Sequence, residues 1–244
     1  MLFSHNPGMK IVGRAADFCG TKEKREENEG VISMGKKAKS FFFSGSHFLF
    51  LFFFSHDFHR KGRKMDLIVN KNVKLKEVEM EDAPSLYALI HANRGHLRRF
   101  LGWIDATEGT ADIEMFIAGS RQRRMIQNGT DYGLWYKGRI VGVVGLHYMD
   151  WINHCTSIGY WIIENMQGKG IMTAAVSRLI RYVFDELGLN RVEIRCAVEN
   201  EKSRAIPERL GFTREGQIRQ GEWLYDHYVD HIVYGLLKNE WRRA

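Results

Sequence analysis

The spacing of apolar and polar positions changes several times along this chain, and each change marks an element. Residues 73–78 alternate with period two and predict a strand; residues 79–83 predict a turn. Residues 84–93 open on Pro84 and predict a helix with Leu86, Leu89 and Ile90 on one side. A second helical region is predicted over residues 111–126, and the irregular, aromatic and basic stretch 96–104 between them suits a capping helix or the wall of a substrate groove. Residues 131–136 and 140–148 read as two strands joined by Lys137-Gly138-Arg139, a hairpin. An apolar β-branched run at 158–163 predicts the next strand, residues 167–170 a tight turn, and the residues after it recur at helical spacing. Residues 190–198 predict a strand, 201–210 a short helix, and 212–219 and 228–236 two closing strands. No internal repeat is visible.

The chemistry concentrates where a strand, a glycine turn and a helix follow one another. Gly168 and Gly170 flank Lys169 and leave unhindered backbone N–H groups at a helix start, where unpaired amides and the positive end of the dipole favour an anion. A phosphate or pyrophosphate seat is one reading; a plain connection is the other. The turn is not a nucleoside-triphosphate loop, because no Ser or Thr follows a Gly-Lys pair, and it lacks the third glycine of the dinucleotide fingerprint.

Composition modifies this picture at the N-terminus. The 244 residues carry a net charge of +7, but residues 1–64 hold twelve basic and six acidic residues, against twenty-four and twenty-three in residues 65–244. The body therefore has no charge imbalance that argues for nucleic-acid binding. Residues 1–64 also contain Phe41-Phe42-Phe43-Ser44-Gly45-Ser46-His47-Phe48-Leu49-Phe50-Leu51-Phe52-Phe53-Phe54, a 14-residue run too short for a membrane span of about 20 residues and too far along for a signal peptide. A self-sufficient domain is expected over residues 65–244, with 1–64 a leader, either disordered or an extension from a misplaced start; a membrane anchor is not expected. Three cysteines, Cys19, Cys155 and Cys196, show no metal-ligand spacing. Free thiols in a reducing, cytoplasmic compartment follow by default, and no metal is expected.

Four stretches then carry a family resemblance: Ile158-Gly159-Tyr160-Trp161, Gln167-Gly168-Lys169-Gly170-Ile171-Met172, Asn200-Glu201-Lys202-Ser203-Arg204, and Glu208-Arg209-Leu210-Gly211-Phe212 followed by Glu215-Gly216. In this order and spacing the chain resembles the GNAT family of N-acetyltransferases, and more closely its ribosomal-protein N-terminal acetyltransferase branch, RimJ and RimL. The match spans about 170 residues, from Val73 to Trp241. It implies an α/β (α+β) fold with a mixed, mostly antiparallel sheet flanked by helices, and acetyl-CoA as co-substrate. Pro207 departs from the family, which more often carries a helix-compatible residue there; a shortened or bent helix is expected.

The resemblance also implies roles. The backbone of Gln167, Gly168, Lys169, Gly170, Ile171 and Met172 would hold the cofactor's pyrophosphate, and the strand Gly159, Tyr160, Trp161 and Ile162 would pair with the pantetheine arm. Lys169 could add charge or simply face solvent; the side chains of Tyr160 and Trp161 could enter the core or touch substrate. Asn200 and Ser203 would flank the cofactor arm and sulfur, with Ser203 as proton donor to the departing thiolate or, alternatively, a helix cap. Glu222, in Ile218-Arg219-Gln220-Gly221-Glu222-Trp223, matches a family glutamate that acts as base toward the amine, against the reading of an exposed turn residue. Asp230 is expected to order the last strands. Cys155 and Cys196 are expected to pack, since no covalent intermediate is required, and His147, His154, His227 and His231 form no metal-like cluster.

The expected reaction is direct acetyl transfer to a primary amine in a ternary complex. The acceptor is expected to be a protein N-terminus, possible ribosomal proteins included; small amines or antibiotics, and a non-catalytic CoA-binding domain, stand as alternatives. Loops 96–110 and 222–230 are expected to flank the acceptor. A monomer or homodimer is expected. Arg94, Arg98, Arg99, Arg121, Arg123 and Arg124 would suit ribosomal RNA, an acidic protein or plain solvent.

Overall fold

In a computed structural model, residues 66–241 can be described. The leader and its Phe-rich run lie outside them. Eight strands form one sheet in the order β1-β2-β3-β4-β5-β6-β8-β7: β1 (Leu67–Ile68), β2 (Val73–Glu77), β3 (Gly129–Tyr136), β4 (Arg139–Asp150), β5 (Cys155–Ile162), β6 (Arg191–Ala197), β7 (Thr213–Leu224) and β8 (His227–Leu237). Every pairing is antiparallel except β5 with β6. The mixed, mostly antiparallel sheet is the expected one. The two-residue β1 at the edge was too short to leave a periodic signal.

Helices cover both faces. They are α1 (Ala83–Ala92), the one-turn α2 (Arg94–Leu97), α3 (Thr110–Met125), α4 (Ile171–Arg181), which runs on into a π-turn at Tyr182–Glu186, and α5 (Glu201–Arg209). Neighbouring residues of a strand point to opposite faces, and β3 shows which helix lies where. Asp131 meets Ser120 and Arg123 of α3, whereas Tyr132 meets Tyr182 just after α4. In α4, Ile171, Met172, Ala175, Val176, Leu179 and Ile180 are all buried, a helical stripe wide enough to fix that face on the sheet. The central strand β4 is buried on both sides from Ile140 to Leu146, so helices must cover both.

Two expectations need correction. Residues 222–230 are not a loop: β7 runs through Leu224, β8 starts at His227, and only Tyr225 and Asp226 turn the corner. The strand read at 212–219 runs on to Leu224, past a break in register between Ile218 and Glu222 that interrupts the alternation. Pro207 does not shorten its helix, since α5 continues to Arg209 with Pro207 buried inside it.

Candidate active site

The sheet opens where the strand predicted to meet a cofactor begins. Strands β5 and β6 pair only at Cys155↔Arg191, Thr156↔Val192 and Ser157↔Glu193, and beyond Ser157 no further pairing joins them among the described residues. On its other edge β5 stays paired with β4 as far as Gly142↔Ile162. Peptide groups of Ile158 to Ile162 therefore turn one edge to a gap rather than to a strand. An extended arm carrying amides can bond to such an edge as a further strand would. The side chains of Tyr160 and Trp161 are buried on opposite faces of β5, Tyr160 against Ser203 and Trp161 against Trp103, and their backbone is what borders the gap.

The glycine turn sits at the end of that strand. Gly168 and Gly170 have φ of 70° and 71°, and a Cβ at either position would meet nothing within 4 Å. Gly170 is the N-cap of α4 and has no side-chain cap, which leaves the first amides of an 11-residue helix directed outward. Gln167 stands across the turn. Lys202 Nζ donates to Gln167 Oε1 at 2.9 Å, and Gln167 Nε2 donates to His96 Nε2 at 2.9 Å. That second bond requires an unprotonated His96 nitrogen. Burial lowers the affinity of His96 for a proton, Lys202 and Arg99 lower it further, and Glu164 opposes them. Lys169 is exposed, 3.8 Å from Met166 Sδ. Lys202, rather than Lys169, is thus the lysine fastened to the turn.

Ser203 is held from three directions. Its N–H is capped by Asn200 Oδ1 at 3.2 Å, its Oγ lies 3.3 Å from Cys196 Sγ, and its carbonyl accepts the hydroxyl of Tyr160 at 2.9 Å. The cap on α5 is therefore Asn200, while the Ser203 hydroxyl turns inward. Pro207 explains the third bond. In a regular helix the N–H of residue 207 would reach the carbonyl of residue 203; proline has none, and the tyrosine of β5 takes its place. The departure from the family thereby ties α5 to the strand beside the gap. Cys196 is buried, as expected of a packing residue, and burial raises its thiol pKa.

The acceptor-side candidates lie on the opposite face. Cys196 pairs with Ile232 and Ala197 with His231, so Cys196 and His231 project from opposite sides of the sheet. His231 is buried, and its Nε2 lies 3.0 Å from Glu222 Oε2. A bulge makes that contact: Ile218 pairs with His231 and Glu222 with Val229, leaving two extra residues in β7. Asp230 holds the bulge, with Oδ1 accepting Gln220 N–H and Oδ2 accepting Gln217 Nε2, both at 2.7 Å. These bonds keep its carboxyl below the usual range. The expected ordering role of Asp230 is what the structure shows.

Loop 98–109 closes on this hairpin. Tyr225 OH donates to Leu101 O at 2.6 Å, and the Arg98 guanidinium lies 3.9 Å from the centre of the Tyr225 ring while bonding Asp105. A Cβ on Gly102 would stand 3.9 Å from Glu222 Oε1. Trp103 from the same loop packs against Trp161, ring centres 6.2 Å apart. Most of the singled-out arginines are engaged internally: Arg94 with Thr107 O, Arg98 with Asp105, Arg121 with Glu79, Arg123 with Asp131 and Arg124 with Glu77.

The glycine turn, Asn200 and Ser203 stand on elements the periodicity located, whereas Glu222 stands on the part of β7 read as a loop; Gln167–Lys202 and Tyr160–Ser203 tie the first three to β5, and the Trp103–Trp161 contact links the loop beside Glu222 to the same strand. The pairing of His96 and Lys202 through Gln167 and the Tyr160–Ser203 bond join residues far apart in sequence, and the His231–Glu222 contact, within one hairpin, depends on a bulge; no local signal announces any of them. Among the described residues no group of three or more His, Cys, Asp or Glu could hold a metal ion, and no helix is long and apolar enough to cross a membrane.

Comparison with known proteins gives a consistent picture. Residues 72–213 match the family described as acetyltransferase (GNAT) domain. The putative ribosomal N-acetyltransferase YdaF of Bacillus subtilis (strain 168) is 42% identical over 175 residues, 71% of this chain and 95% of that protein. The structure of the microcin C7 self-immunity acetyltransferase in complex with acetyl-CoA and AMP is 32% identical, with a TM-score of 0.67 over 69% of this chain and 94% of its own. RimL, a ribosomal alpha-N-protein acetyltransferase in complex with coenzyme A, superposes with a TM-score of 0.69 at 25% identity, over 71% of this chain and 98% of its own.

Proposed function

This chain belongs to the GNAT family of acetyl-CoA-dependent acetyltransferases, close to its RimJ/RimL branch, and we propose that it acetylates the α-amine of a protein N-terminus, a ribosomal protein being the first candidate, in the cytoplasm. The observation that carries this substrate is the 42% identity to a putative ribosomal N-acetyltransferase across 95% of that relative's length.

The residues divide the work as follows. The open edge of β5 takes the pantetheine arm and the turn Gln167 to Met172 takes the pyrophosphate, both through main-chain groups, with Lys202 adding positive charge. Acetyl transfer needs a neutral amine, a polarised carbonyl and a proton for the departing thiolate. An α-amine with a reference pKa of about 7.7–8.0 is partly neutral near pH 7.5, so Glu222 has only to orient it and accept one proton. The amine nitrogen attacks the thioester carbonyl, the C–S bond breaks, the amine's surplus proton goes to Glu222, and the thiolate takes a proton from Ser203 Oγ on the far face, an oxygen that water re-protonates in the same step so that the hydroxyl is restored. Placing the two groups on opposite faces of one gap keeps the proton acceptor and donor apart. Nothing in this sequence uses Cys196 as nucleophile, and its buried, raised thiol suits that.

The test is transfer of labelled acetyl to a peptide with a free N-terminus, to the same peptide with a blocked N-terminus and an internal lysine, and to fractionated cell extract. Label on the free α-amine and on ribosomal-protein N-termini is expected; label confined to small metabolites would overturn the reading. That second outcome is the reading favoured by the 32% identity to the microcin self-immunity enzyme. Within the site, Glu222→Gln should lower turnover roughly 10–10⁴-fold without changing acetyl-CoA affinity.

A further inference from the structure

The geometry points to His231 as the residue that positions the Glu222 carboxylate for the incoming amine, an inference that rests on the acceptor-side reading of Glu222. Glu222 belongs to a hairpin strand whose preceding residues are exposed, and a glutamate there would ordinarily sample many rotamers. Three features remove that freedom. The two-residue bulge, with Gln220 at φ 51° and its N–H bonded to Asp230, keeps Glu222 on the His231 face but sets it opposite Val229, nearer to His231 than an unbroken ladder would. His231 then meets Oε2 at 3.0 Å from a side chain only 3% exposed, while the carboxylate itself is 17% exposed. Gly102 of the closing loop lies on the Oε1 side.

The imidazole is thus a buried post, and the carboxylate reaches from it toward the acceptor wall. For a neutral imidazole the contact requires the hydrogen on Nε2, so His231 donates and Glu222 accepts. A carboxylate with one oxygen fixed has a fixed plane, and the direction of its remaining lone pairs is set before the amine arrives. Gly221 packs beside the imidazole: a Cβ there would stand 3.6 Å from the His231 ring, an ordinary van der Waals distance, and 3.3 Å from Ile218 Cγ2, a tighter contact. His231 touches no reacting atom; it acts through Glu222.

The experiment compares wild type, His231→Leu, His231→Gln, Glu222→Ala and the His231→Leu/Glu222→Ala double variant, with a free α-amine peptide at saturating acetyl-CoA. Misplacing a catalytic group by an ångström costs on the order of 10²-fold, so His231→Leu is expected to lower kcat roughly 10–100-fold while KM for acetyl-CoA holds. His231→Gln, whose amide N–H can replace Nε2–H, should recover most of the rate. In the Glu222→Ala background His231→Leu should add almost nothing. An equal loss in both backgrounds, or a His231→Gln enzyme as slow as His231→Leu, would overturn the inference as a structural effect. A full-speed His231→Leu beside a slow Glu222→Ala would overturn it alone, whereas a full-speed Glu222→Ala would bring down the reading of Glu222 itself. Ring-nitrogen NMR of the folded protein supplies a readout independent of any acceptor: His231 should hold the Nε2–H tautomer in wild type and lose that preference in Glu222→Ala.

Discussion

At the scale of single residues, the environment of a side chain decides its chemistry. Cys155 and Cys196 are both free thiols, and burial raises both. Cys155 is only half-buried, whereas Cys196 is closed in by Tyr160 and Ser203. Thiolate fraction and access both govern alkylation. Iodoacetamide should therefore label Cys155 in the native protein and Cys196 only under denaturing conditions, read from the masses of the labelled peptides. Rapid native labelling of Cys196 would contradict its enclosure. Ser203→Ala should spare the fold, since Asn200 still caps the helix, and lower turnover by less than Glu222→Gln if water can protonate the thiolate in its place.

At the scale of elements, α5 shows how a helix-breaking residue can serve a site. Pro207 leaves the Ser203 carbonyl without a helical donor, and Tyr160 supplies one. Tyr160→Phe would strand a buried carbonyl, at a cost of about 1–3 kcal/mol. In a Pro207→Ala background the alanine N–H can take over, so the same substitution should cost clearly less. Urea denaturation of the four proteins measures the coupling, and equal losses in both backgrounds would refute the exchange of donors. The turn before α4 makes a contrasting case. Gly170→Ala meets no steric obstacle, but holding alanine at φ 71° costs roughly 1–2 kcal/mol. Lower stability together with weaker acetyl-CoA binding is expected, by thermal melts and calorimetry.

At the scale of the whole molecule, buried ionisable groups set the pH range in which the sheet is stable. His147 lies on β4 beside the buried Asp131; burial lowers its proton affinity, Asp131 opposes this and Arg123 adds to it. The unfolded chain takes up a proton on this histidine near pH 6.5, and the folded chain resists. Unfolding therefore gains protons below that pH, and stability falls as pH drops from about 7 through the unfolded value toward the lower folded one. His96 acts in the same direction. At more acid pH, Glu215, held low by Arg191, contributes stability above the unfolded glutamate value and loses it as pH falls toward its depressed one. The urea midpoint should thus decrease between pH 7.5 and 5.5, and His147→Gln should reduce that slope. A slope unchanged in the variant would show that other groups control it.

Local pattern was enough to place most elements. Apolar spacing located β2 to β6 and the three longer helices to within a few residues, because burial of one face imposes a period that a window of ten residues reveals. The glycines at 168 and 170 were legible for the same reason: their left-handed backbone is a local demand. In the final hairpin both strands were legible at 212–219 and 228–236, but the last part of β7, Gln220 to Leu224, was not, because the bulge between Ile218 and Glu222 interrupts the alternation. What only the tertiary structure decided are meetings between distant residues. The early end of the β5–β6 ladder, the 43 residues between Tyr160 and Ser203, the bulge that brings Glu222 to His231, and the clasp of Tyr225 on Leu101 across 124 residues depend on how strands diverge and loops close. The long-range meetings arise from the packing of the whole sheet, and no short stretch of sequence contains both partners; Glu222 and His231 lie only nine residues apart, but the bulge that joins them leaves no periodic signal.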